Sequence, residues 1–175
     1  NDQWRWSEFE KEGKGSIFKA IPRDRDQVFS KYDGLLPWVA TRKWAIRNIT
    51  HFGYDFEDAI GLSLSGNPLD RQILPELDFE VWKKVVEELR SSLTDEVIGH
   101  SIKQLPPEVY PISGPEIIEK LISRREKLSS AAKIWYRGIN KEVDVLGTDK
   151  HENFKIVRLQ NGDVSVVIFK TKKEG

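Results

Sequence analysis

Between Asp78 and Ile139 the apolar residues return every three or four positions, and beyond about residue 142 they return every second position. The first period lines one face of a helix and the second lines one face of a strand. A chain that carries both in separate blocks is expected to fold as an α+β protein. Asp78 caps a helix whose apolar face is Phe79, Trp82, Val85, Val86 and Leu89. Thr94 caps a second, with Val97, Ile98, Ile102 and Leu105, closed by Pro106 and Pro107. Ser113-Gly114-Pro115-Glu116 is a capping box, with proline tolerated in the first turn. It opens a long helix with Ile117, Ile118, Leu121, Ile122, Leu128, Ala132, Trp135 and Ile139 on one side, and Ser129-Ser130 as a point of fraying or kinking.

Residues 35–52 give a fourth helical pattern, with Trp38, Val39, Ala45, Ile46 and Ile49 apolar and Arg42, Lys43 and Arg47 sharing part of the other face. Gly53 is a stop for it. Residues 54–77, with Gly61, Gly66 and Pro68, read as irregular. At the start of the chain, Trp4-Arg5-Trp6 reads as part of a short strand or loop edge, Glu12–Gly15 as a turn and Ser16–Ile21 as a strand, so residues 4–21 predict a hairpin, ended by Pro22. At the other end, Glu142–Leu146 reads as one strand. Phe154–Leu159 and Val164–Phe169 flank Asn161-Gly162, a strong hairpin signal. The expected plan is an N-terminal hairpin (1–34), a helical body of about four helices (35–141) and a small antiparallel β element (142–175), as one domain or fragment.

Composition narrows the function classes. The chain has 175 residues with 28 basic and 28 acidic side chains, so the basic surplus of a free-standing nucleic-acid binder is missing. It has no cysteine, which excludes disulfides and thiolate metal sites. No apolar run reaches the roughly 18 residues of a membrane helix. The chain also lacks methionine, opens at Asn1 and stops at Gly175 where a strand or turn is under way, as expected of a segment of something longer.

The most chemically loaded stretch is Ile21-Pro22-Arg23-Asp24-Arg25-Asp26-Gln27. In extended backbone Asp24 and Asp26 share one side, and Arg23 and Arg25 the other. Two carboxylates suit a hard divalent cation such as Mg²⁺, and guanidiniums beside them suit phosphate. The same pattern also describes a solvated charged loop held by its own ion pairs. The hairpin brings Asn1-Asp2-Gln3 near this stretch, so Gln3 or Asp2 can complete a metal site with Asp24.

Other features favour ordinary structural roles. His51, His100 and His151 share no ligand spacing. Ser63 and Ser65 lack the strand–turn–helix context of a nucleophile elbow. Trp82 and Trp135 fall on apolar helix faces, and Arg124, Arg125 and Lys127 read as a solvated basic face.

The Ile21–Phe29 stretch resembles the P-x-D-x-D segment of the atypical CotH-type kinases. Together with Asn1–Trp6, Asp33-Gly34-Leu35-Leu36 and Glu142–Lys150, it resembles a CotH-like kinase lobe found in long bacterial envelope proteins. Those proteins often carry a calcineurin-like metallophosphoesterase domain before this segment and a BamA-like outer-membrane β-barrel after it. The resemblance covers nearly the whole chain.

It implies a kinase C-lobe-like fold, binding of Mg²⁺ and ATP, and phosphoryl transfer in the intact protein. Asp24 matches the metal-binding aspartate, Asp26 a second ligand, and Gln3 the position of a metal-binding Asn. The matching catalytic Asp belongs before Asn1. The resemblance further implies a cell-envelope location, with the rest of the same polypeptide as the main partner. The alternative is a degenerate module that serves structure or partner binding without catalysis.

Overall fold

The computed structural model describes residues 4–11, 13, 15–23 and 27–171. They form a mixed α+β structure with two antiparallel hairpins and six helices among the described residues. The chain divides into two units, residues 1–141 and 142–175.

In the first unit, β1 (Trp4–Glu10) pairs with β2 (Ser16–Pro22) without a bulge, from Trp4 opposite Pro22 to Glu10 opposite Ser16. The turn demands glycine: Gly13 and Gly15 take φ of +101° and +116°, which L side chains rarely adopt. Lys19 lies over the Phe9 ring at 4.9 Å, and Ser16 Oγ donates to Glu8 Oε1 at 2.5 Å.

The helices are α1 (Leu35–Ala40), α2 (Ala59–Ser63), α3 (Asn67–Ile73), α4 (Phe79–Ser92), α5 (Asp95–Ile102) and α6 (Tyr110–Ile139). The thirty-residue α6 is the axis on which α2, α4 and α5 pack. Asp78 caps α4 by accepting from the Glu80 and Val81 amides, and Thr94 caps α5 by accepting from the Val97 amide. Both caps lie where the sequence puts them.

The buried apolar side chains among the described residues are Ile98, Ile102, Ile117 and Ile139. Each stabilises by about 1.5–3 kcal/mol relative to exposure. Beside them Trp82 stands edge-on to Trp135 at 5.2 Å, and Tyr136 contacts both Trp82 and Phe79. On α4 the inward face is Phe79, Trp82 and Val86, whereas Val85 and Leu89 are exposed.

Four sequence expectations are corrected. The 35–52 pattern is helical only over Leu35–Ala40. There the Thr41 hydroxyl donates to the Trp38 carbonyl, and Arg42 N bonds Val39 O, so the helix tightens into turns. The irregular stretch 54–77 contains two short helices, α2 and α3, which raises the count from about four to six.

The long helix starts a turn before the capping box. Pro106 O accepts from Val109 N and Tyr110 N, and Ser113 N already bonds Val109 O. Ser113 and Pro115 therefore lie inside α6, and Ser129-Ser130 do not interrupt it. Finally, 142–146 is not a strand. In the second unit β3 (Glu152–Arg158) pairs only with β4 (Val164–Lys170), across a turn where Gly162 has φ +92°.

Candidate functional site

Of the residues singled out for metal and phosphate binding, Arg23 is described. It is exposed and follows directly on β2. Gln3, Asp24, Arg25 and Asp26 lie outside the described residues. The hairpin register sets the surroundings, since Trp4 and Pro22 are paired at its open end. The first residue of β1 and the last of β2 therefore lie side by side at that end. Among the described residues no group of three or more His, Asp or Glu side chains is placed to hold a metal ion.

The chain after this stretch is pinned to the helical body. Phe52 N donates to Ser30 O at 3.1 Å, and the Phe29 and Phe52 rings meet edge-on at 5.0 Å. Lys31 then reaches Glu116 on α6 in a close ion pair. Glu116 holds a second cation, Lys120 Nζ, at 2.7 Å, and Lys120 is only 4% exposed. The Lys120 hydrogen bond, followed by that of Lys31, pulls the Glu116 carboxyl down to about 2. Lys120 Nζ also lies 6.0 Å and 5.7 Å from the Phe52 and Tyr54 ring centres.

The segment 51–56 closes over the same stripe of α6. Ser123 Oγ donates to Tyr54 O at 2.9 Å, Lys127 Nζ to Tyr54 O at 3.1 Å, and Arg124 to Asp55 O at 2.6 Å. The Arg124 guanidinium stacks 4.0 Å from the Phe56 ring centre. Burial lowers the Arg124 pKa, with Asp55 acting in the opposite sense. The Tyr54 hydroxyl donates to Glu119 Oε2 at 3.2 Å, and chiefly for that reason its pKa is raised.

Nearby, Asp58 caps α2 by accepting from Gly61 N at 2.9 Å and takes Arg47 through two hydrogen bonds, at 2.8 and 2.9 Å. Arg47 accordingly lowers the Asp58 pKa.

Arg124, Arg125 and Lys127 are thus not a solvated face. Arg125 donates to Leu93 O and pairs with Asp95 at 2.6 Å, holding the junction of α4 and α5. Sequence reasoning missed Lys31, Tyr54, Glu116 and Lys120. For Glu116 and Lys120 the signal was present as a second, polar stripe on α6. Glu116, Lys120, Ser123 and Lys127 recur at helical spacing beside the apolar one.

Comparison with family models, with curated proteins and with solved structures returned no match for this chain.

Proposed function

We propose that the chain is the C-lobe-like part of a CotH-type kinase-like domain that binds a Mg²⁺-nucleotide for phosphoryl transfer in the intact protein. The observation that carries this reading is the hairpin register. Trp4 lies opposite Pro22, which supports a joint role for Gln3, the residue before β1, and Asp24, two residues after Pro22. Phosphoryl transfer needs that juxtaposition, because a metal ion and the phosphates must be gripped from both sides. Asp24 and Asp26, with Gln3, would hold Mg²⁺; Arg23 and Arg25 would orient phosphate. When bound, the metal neutralises charge on the phosphate oxygens. Segment 29–31, clamped on Phe52 and Glu116, supplies a fixed support just beyond those ligands.

A second reading is a non-catalytic structural or partner-binding module. It is favoured by the apolar side chains that lie open on and after α1, with Leu36 81% and Trp44 76% exposed.

Calorimetric titration of Mg²⁺-ATP into the polypeptide that contains this chain separates the two. The expected result is binding that weakens about tenfold or more in Asp24→Asn, the loss of one charged ligand. No binding in either protein returns the stretch to a charged loop and favours the module.

A further inference from the structure

A cleft of about 580 Å³ opens beside α1 in the first unit, a volume in the range of small-molecule sites. Besides Tyr32, whose hydroxyl donates to Gln27 Oε1, four ionisable side chains line it: Asp33, Arg42, His51 and Glu57. Among the described residues none of the four makes a side-chain hydrogen bond or close ion pair. By contrast, Lys31, Arg47, Arg90, Arg125 and Lys127 in the same unit are all matched to carboxylates. Arg42 is instead held against the Trp38 ring, 3.9 Å from its centre, and its Nε is buried without an acceptor. The remaining wall is apolar and open, with Leu35 75% exposed.

We infer that this cleft is a binding site for a zwitterion, a free amino acid or short peptide carrying an apolar side group. The charges decide the class. A guanidinium without a carboxylate partner recruits an anionic group, and it suits carboxylate through two parallel N–H donors. Asp33 and Glu57 on the same cleft recruit an ammonium group. Nucleotides and inorganic phosphate bring only negative charge and meet two carboxylates. Polyamines bring only positive charge and meet Arg42. A ligand with one charge of each sign satisfies both ends, and its side group covers Leu35 and the free part of Trp38. This site is distinct from the phosphate-handling stretch and does not depend on that reading.

The test is a titration with the dipeptide Phe-Leu, its N-acetyl form and its C-terminal amide, read from the Trp38 indole N–H resonance. Phe-Leu is expected to shift that resonance saturably and leave the Trp82 and Trp135 signals in place. Each blocked form is expected to bind about tenfold more weakly or worse, the loss of one charged contact. Glu57→Gln, at an exposed position, and Arg42→Gln should each reproduce one of the two losses. Unchanged Trp82 and Trp135 signals would show that those variants are folded. Absence of a saturable shift, equal binding of the blocked forms, or stronger competition by phosphate or ATP than by Phe-Leu would each overturn the assignment.

Discussion

Glu116 stands between two lysines of unequal exposure, and the inequality sets what each contributes. Lys31 has 44% of its side chain in water, whereas Lys120 has 5%. Losing the carboxylate strands the buried ammonium, which is the more damaging change. Glu116→Gln is therefore expected to lower the melting temperature by several degrees, and Lys31→Met by clearly less, as calorimetry would show. The pH dependence follows from the depressed pKa. Unfolded, the carboxyl takes up its proton near 4.5; folded, it does so only near 2. Its contribution is complete above about pH 4.5 and is lost as pH falls toward 2. Glu116→Gln should flatten that part of the stability profile, and an unchanged acid limb would refute the assignment. Asp58 is a second single-residue joint. Asp58→Ala removes a helix cap and both Arg47 bonds, and is expected to cost roughly 2–4 kcal/mol in urea denaturation.

Among the elements, α6 carries the most consequence because α2, α4 and α5 pack on it. Trp82 on α4 meets Trp135 and Tyr136 on α6. Trp82→Ala is expected to cost about 3–5 kcal/mol and to abolish much of the near-ultraviolet circular dichroism. Trp82→Phe should cost less, since Trp82 Nε1 is buried without an acceptor and the exchange removes that unsatisfied donor. The elements most legible in the sequence were those whose signals are local. Asp78 and Thr94 cap through their own neighbours, and Asn161-Gly162 turns a hairpin through its own backbone. What was not legible depended on distant partners. Tyr54 gains its role from Glu119, and Lys31 from Glu116, each on α6. Nothing in a periodicity reports such pairings. The apparent α6 start at Ser113 failed for a related reason, because Pro106 O organises the preceding turn. The proposed metal stretch lies outside the described residues apart from Arg23, so its reading rests on sequence pattern and on the hairpin register.

At the scale of the whole chain, the two units differ in what holds each together. Residues 1–141 have α6, a set of buried isoleucines and ion pairs that join distant segments. Among the described residues of 142–175 there is one two-stranded hairpin, most of whose apolar side chains, Phe154, Ile156, Val164 and Phe169 among them, are exposed. Such a hairpin is marginally stable in water on its own. Its amides are expected to exchange faster than those of α6. The stretch between α6 and β3 is the weak point for proteases, since residues 141–150 are all exposed and 143–148 carry no ladder pairing. It is not uniformly weak. Glu152 accepts from Thr148 N at 2.8 Å and from Thr148 Oγ1 at 2.7 Å, tying 148 back to the start of β3. Lys150 N in turn donates to Thr148 Oγ1. Trypsin is therefore expected to cut after Lys141 before it cuts after Lys150. The first product visible by mass spectrometry should end at 141. Glu152→Gln, which loosens the Thr148 tie, should bring cleavage after Lys150 forward without changing the rate at Lys141. Early cuts inside α4, α5 or α6 would mean that the helical unit, rather than the joint at 142, is the first to open.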